Sequence, residues 1–396
     1  MNILWVMGGN SGTAYHRGFV WWVAAHRTRK CGFHVLGWAK ECNTMSPWQV
    51  DIADATNQPF LFGKMFAAGR DADAIVFQRI ETRHALAAFY AMKDQFPNKP
   101  ILSEIDDDIF DVAPYNPAAE CLKPGSHLTQ LAIDQFKNSD GIIVSTPYLK
   151  EVYSELNPNI YVVQNSIDVQ KWDNAPKKKK PGIRIGWIGS GSHSKDLEIL
   201  DKVIDPICAK NKDVKFVFCS YFQENLETLP AFLKGREHVQ IVNKWAPILK
   251  YPAHLAAQDF DIALAPLVDN KFNRGKSNLR WLEYSALGIP CVASEVEHFK
   301  TTIVDGKDGF LASNAEQFIN RIQELISNSK LRKSMGKAAH ARMHNDFNVD
   351  KNLDIYIDAI EDCLSRSPIA APSMMTGVDI VPEPELEIGP LEVIAE

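Results

Sequence analysis

The sequence predicts an α/β protein with two doubly wound domains facing a central cleft, followed by an acidic C-terminal tail. Three observations predict it. Short apolar runs rich in Val, Ile and Phe alternate with stretches long enough for a crossover helix, the pattern of parallel strands covered on both faces. That scheme runs through twice, with a polar Lys-rich stretch between the passes. Each pass also opens with a strand that runs into a Gly-containing turn and then a helix, an arrangement that presents backbone N–H groups and a dipole end to an anion.

In the first pass, strands are expected at 3–7, 33–38, 74–77, 101–105, 141–145 and 161–163. The second pass repeats them at 183–188, 214–219, 239–242, 262–266, 290–293 and 309–311. Two such sets make two Rossmann-like domains, 1–168 and 181–345. The stretch SIDVQKWDNAPKKKKPG between them has few apolar residues, and Lys177–Lys180 is read as a solvated linker rather than a site for an anionic surface. Helical patterning follows, and its last segment, 346–366, is expected to cross back to the first domain. The tail, 367–396, holds six acids, five prolines and no Lys or Arg, so it carries the whole formal charge of -6.

The chain has 396 residues, 45% hydrophobic and 23% charged, which is the composition of a globular protein. Its seven cysteines show no CxxC pair or metal spacing, and reduced thiols in a cytoplasmic protein are expected. No apolar run is long enough to span a bilayer, and the MNILWVMGGN start lacks the basic n-region of a signal peptide.

The richest stretch is NKFNRGKSNLRWLEYSALGIPCVAS. It reads as a loop bearing Arg274, Gly275, Lys276, Ser277 and Asn278, then a helix, then a buried strand. Unpaired N–H groups at the helix start suit a diphosphate. Glu283, a lone carboxylate inside the apolar helix, is placed to accept hydrogen bonds from sugar hydroxyls. A second anion-suited turn follows the strand at 183–188, with Gly189, Ser190, Gly191, His193 and Lys195, and a helix expected from Asp196. Ser194 stands where G-x-G-x-x-G needs its third glycine, which weakens a dinucleotide reading.

In the first domain, Gly8 and Gly9 suit a loop facing the cleft. His16 and Arg17 stand near a helix start, where the dipole disfavours cations, and this suggests an acceptor-side role for them. Arg27, Arg29 and Lys30 are read as cations stabilising a helix C-terminus, ahead of an acceptor-binding patch. Asp106, Asp107 and Asp108 follow a strand and repel one another unless a cation or acceptor hydroxyls are near. They are candidates to orient an acceptor, to take its proton or, through Asp106 and Asp108, to hold Mg²⁺ or Mn²⁺. The competing reading is an N-cap with first-turn acids. Asn165 and Asp168 end a strand at the hinge, in a turn or a site role.

Three segments in order, GWIGSGSHSKDLEIL, DFDIALAPLVDNKFNRGKSNLRWLEYSALGIPCVAS and VDGKDGFLASNAEQFINRI, resemble the second domain of GT-B glycosyltransferases of the family-4-like retaining kind. VVQNSID resembles their interdomain Asn-x-x-Asp segment. The resemblance implies a nucleotide-diphospho-sugar co-substrate held mainly by the second domain, and transfer with retention that needs no enzymic nucleophile. The sequence itself requires no cofactor, with Mg²⁺ or Mn²⁺ possible. Lys195 matches the family's diphosphate lysine and Glu283 the second Glu of its Glu-x7-Glu element; the family arginine falls on Ser190 and the first Glu on Gly275. Lys276 or Arg274 is expected to replace the missing positive charge.

The expected activity is transfer of a hexose or pentose to a hydroxyl on a glycan or lipid-linked saccharide. A hydroxymethyl-pyrimidine-type DNA base is the alternative acceptor, which steep loss of activity with salt would reveal. A non-catalytic nucleotide-sugar-binding subunit is a further alternative, which detectable transfer or donor hydrolysis would remove. An NAD-dependent oxidoreductase rests only on the incomplete glycine fingerprint.

Overall fold

The computed structural model describes residues 1–7, 12–37, 51–52, 58–80, 82–176, 179–190, 193–220, 229–244, 246–366 and 368–369. Gly8, Gly9, Gly191, Lys177, Lys178 and the tail beyond residue 369 lie outside the described residues.

Two all-parallel sheets carry the fold. The first comprises β1 (Asn2–Met7), β2 (Gly32–Gly37), β3 (Asp51–Ile52), β4 (Ala74–Gln78), β5 (Ile101–Ile105), β6 (Gly141–Val144) and β7 (Ile160–Val162). Their order is β3-β2-β1-β4-β5-β6-β7. The second comprises β8 (Ile183–Ile188), β9 (Val214–Ser220), β10 (Val239–Asn243), β11 (Ile262–Ala265), β12 (Cys291–Ser294) and β13 (Phe310–Ala312), in the order β10-β9-β8-β11-β12-β13. β3 was not expected from sequence; at two residues it is too short for an apolar pattern to register. Every residue of β4, β5 and β6 is buried, as continuous apolar strands covered on both faces require.

Strand order reverses between β1 and β4 and again between β8 and β11. Such switch points open a crevice at the carboxyl ends of the strands, where ligands bind in open α/β sheets. The turns after β8 and β11 therefore share one edge of the second sheet. The helix Leu279–Ala286 leads from that edge down to β12. It ends at Gly288, whose φ of 66° lies in the left-handed region that glycine enters without a Cβ penalty.

The helix Val349–Leu364 returns to the first domain. Val349, Leu353, Tyr356, Ile360 and Cys363 recur at helical spacing and enter the same core as Trp5, Trp21 and Val35. Ion pairs frame this contact: Arg27 with Asp350 at 2.8 Å and with Asp168 at 3.0 Å, and Lys30 with Asp354 at 2.6 Å. The basic residues at the end of the helix Val20–Thr28 thus fasten the returning helix.

Candidate functional site

On the second-domain side, β8 enters the turn at Gly189 and Ser190. The helix expected from Asp196 starts later: Asp196–Leu200 is a 3-10 turn, and the α-helix is Asp201–Lys210. Asp196 is buried and braces the loops that follow β8 and β11. One oxygen meets His193 Nδ1 at 2.9 Å, and the other accepts from Val268 N at 2.9 Å and Asn273 Nδ2 at 2.8 Å. Burial lowers the His193 pKa; the Asp196 hydrogen bond opposes that shift and the Arg280 charge adds to it. Lys195 is half-exposed, with its ammonium 2.7 Å from Glu198.

The loop after β11 holds the short helix Lys271–Gly275 and then Lys276, Ser277 and Asn278. Of the two cations expected to replace the missing arginine, Arg274 is tied to Asp269 of its own loop at 2.8 Å. Lys276 reaches across the cleft to Asp107 Oδ1 at 2.7 Å and lies 4.3 Å over the Phe272 ring. Ser277 Oγ accepts from Asn165 Nδ2 at 2.7 Å, and Asn278 donates to Thr302 Oγ1 at 3.1 Å. Glu283 is buried and accepts from Tyr251 OH at 3.0 Å. Burial pushes its pKa up to about 7, against the pull of Arg280.

Arg280 is the residue that sequence reasoning missed. It lies one helical turn before Glu283, with Nη1 3.6 Å from the Glu283 carboxylate and the guanidinium 5.9 Å from the Trp187 ring. Its Nη2 would stand 2.9 Å from a Cβ built on Gly189. A cation therefore does face the Gly189 turn, supplied by the neighbouring helix and not by the turn itself. The signal was present: a cation in the first turn of a helix opposes the dipole, the same reasoning that singled out His16 and Arg17.

The position where the resemblance expects a glutamate, Gly275, meets the first domain. A Cβ there would lie 3.1 Å from Leu149 Cδ2 and 3.3 Å from Asp108 Cβ. With the domains this close a longer side chain has no room, which is a physical reason for the departure.

On the first-domain side, the three aspartates separate in role. Asp106 is raised to about 6 by burial and by the adjacent Asp107 charge. In Asp107 burial opposes ionisation, but the charge and hydrogen bond of Lys276 outweigh it and lower its pKa. Asp108 turns inward and accepts from Phe110 N at 3.0 Å within its own loop; no helix follows it directly, so this is not the N-cap of the competing reading. That leaves Asp106 and Asp107 facing Lys276, with Asp108 spending an oxygen on its own loop.

Arg17 requires a correction. It is fully buried, with Nε 2.6 Å from Glu104 of β5 and Nη1 donating to Val163 O at 2.7 Å and Asn165 Oδ1 at 2.9 Å. It has no access to an acceptor. Instead, Glu104, Arg17, Asn165 and Ser277 form a hydrogen-bonded chain from the first-domain core through the hinge to the loop before the helix Leu279–Ala286. His16 is also buried; burial first, then the Arg17 charge, holds its pKa down to about 3.

Two domains with facing crevices, joined by a hinge and a returning C-terminal helix, form the architecture of GT-B glycosyltransferases. Residues 182–328 match the family model described as Glycosyl transferases group 1. The fold is similar to that of HepE from Anabaena in complex with UDP, with a TM-score of 0.66 and 14% identity over 91% of this chain and 100% of that one. It is also similar to sucrose-phosphate synthase from Thermosynechococcus elongatus, with a TM-score of 0.62 and 12% identity over 92% of this chain and 100% of that one. In sequence the chain is 30% identical over 73 residues to the trehalose synthase of Pyrococcus horikoshii. That match spans 18% of each chain, so it covers less than a fifth of the relative. No described helix is long and apolar enough to cross a membrane.

Proposed function

We propose that the protein transfers a sugar from a nucleotide-diphospho-sugar to a hydroxyl acceptor, a glycan or lipid-linked saccharide, with retention of configuration. The observation that carries this reading is the convergence of Arg280 on the Gly189 turn, beside Glu283 and at the start of the helix Leu279–Ala286. A guanidinium and helix-start N–H groups complement a diphosphate, and a carboxylate behind them complements hydroxyls of a ribose or sugar. The matched domain and the fold support it; HepE has been solved with UDP-glucose, which makes that donor the first to test.

In this mechanism Arg280, Lys276 and Lys195 stabilise the negative charge that develops on the diphosphate as the glycosidic bond breaks. The departing phosphate and the incoming hydroxyl share one face of the sugar. Asp107 holds Lys276 until the donor arrives and then yields it to the diphosphate. Asp106, whose pKa of about 6 lies near neutrality, is placed to take the acceptor proton.

The test is a thermal-shift screen of nucleotide-sugars, followed by turnover with radiolabelled donor. Stabilisation by a nucleoside-diphospho-sugar that Arg280→Ala abolishes is the expected result. A protein stabilised by none of them would exclude the reading.

A further inference from the structure

A cavity of about 340 Å³ lies between the domains, beside Arg274 and Asn278 of the loop after β11. Its walls come from the turn after β6, from Gln164 at the hinge, and from the helix Glu297–Thr302 that follows β12. No described residue of the Gly189 turn lines it, and neither Arg280 nor Glu283 does. It meets the proposed donor site at Asn278.

One wall residue is out of keeping with a space that merely remains between domains. His298 is 5% exposed, and neither ring nitrogen has a hydrogen-bond partner among the described residues. Leaving buried polar atoms unpaired costs stability, and an apolar ring of the same shape would not incur that cost. Burial, then the nearby Lys276 charge, keeps the imidazole neutral, with its pKa held down to about 3. A neutral imidazole offers one donor and one acceptor.

We infer that this cavity is a saccharide subsite for the acceptor, in which the His298 ring hydrogen-bonds sugar hydroxyls. The inference rests on the glycosyltransferase reading and gives its acceptor saccharide a location. Gln164 and Asn278 add amides, and Thr146 and Thr302 add hydroxyls, so the walls both donate and accept, as a polyol does. Among the described lining residues two carboxylates, Glu151 and Glu297, outnumber Arg274. That balance repels a phosphodiester backbone and so favours a glycan over DNA. The volume suits one or two sugar rings.

The experiment uses the full chain, with and without saturating UDP-glucose, and saturation-transfer NMR with glucose, galactose, maltose, lactose and a DNA duplex as probes. At least one saccharide should bind. His298→Phe should weaken it by about tenfold, the value of one or two lost hydrogen bonds, while raising the thermal midpoint and leaving UDP-glucose affinity unchanged. Gln164→Leu, on the opposite wall, should weaken the same saccharide. The inference is overturned if no saccharide binds the wild type in either condition, if both variants bind it as well as wild type, or if DNA is the His298-dependent probe. Failure of every nucleotide-sugar to bind would instead sink the glycosyltransferase reading. The saccharide arm without donor still decides the subsite.

Discussion

Each domain buries a glutamate against an arginine, and these two pairs are built to opposite ends. Arg17 and Glu104 are sealed, with side chains 0% exposed, 2.6 Å apart and fixed further by the hinge carbonyl of Val163. Arg280 and Glu283 are looser, 3.6 Å apart, and Arg280 remains 22% exposed beside the Gly189 turn. Burial pushes both carboxyls up to about 7. The difference lies in what each guanidinium can reach. Arg17 donates to protein acceptors and holds the hinge; Arg280 has a face turned to the space where a ligand's charge would sit. A buried charge pair is weak evidence for stability by itself, but removing one partner of a sealed pair leaves the other uncompensated.

The largest effect should come from breaking the sealed pair. Arg17→Ala strands the Glu104 carboxyl and should cost about 3–5 kcal/mol of stability, measured by urea unfolding. A variant that stays as stable as wild type would mean the sealed pair is not the structural tie described. Arg280→Ala should do the reverse. We expect kcat/KM to fall about 10²–10³-fold, on the scale of losing one charge-stabilising donor, with only a small change in unfolding midpoint. Equal losses of stability from both substitutions would erase the comparison.

Glu283 sharpens it through pH. Its folded pKa of about 7 lies above the ordinary 4.5, so the folded state holds the proton more tightly than the unfolded chain. The associated stability is fully present below about pH 4.5 and is lost as pH rises through about 7, worth up to about 3 kcal/mol. Glu283→Gln should flatten the stability profile across that window relative to wild type. A profile unchanged by the substitution would place the titration elsewhere. The smallest effect is expected at the latch across the cleft. Asp107→Asn frees Lys276, and the affinity for UDP-glucose should rise a few-fold, as releasing a partly exposed ion pair of about 1 kcal/mol implies. Calorimetric titration that showed weaker donor binding would argue that Asp107 helps the donor rather than competing with it.

Much of the architecture was legible because parallel strands buried on both faces must be nearly continuous apolar runs. Those runs announce themselves in IRIGWI and VKFVFC as plainly as in GIIV. Glu283 was legible too, as a lone carboxylate in an apolar helix. Arg280 was passed over because its importance depends on where the Gly189 turn lies, and 91 residues of chain separate the two. Arg17 misled for a related reason. A cation near a helix start is out of place with respect to the dipole, but sequence does not say whether a ligand or a buried glutamate 87 residues away provides its partner. Nothing in the sequence singles out His298, since a histidine in a polar helix carries no mark of having no partner.

The sequence by itself determined the alternation of strands and helices, the doubling of that pattern and the anion-suited turns at its strand ends. These follow from local rules: apolar periodicity, glycine's freedom, and the unpaired groups at helix starts. Only the tertiary structure decided which cation meets which anion. It assigned Arg17 to Glu104, Lys276 to Asp107 and Arg280 to the Gly189 turn, and it left His298 without a partner in the cavity between the domains. Charge pairing acts over a few ångströms in space, and distance along the chain does not encode that separation.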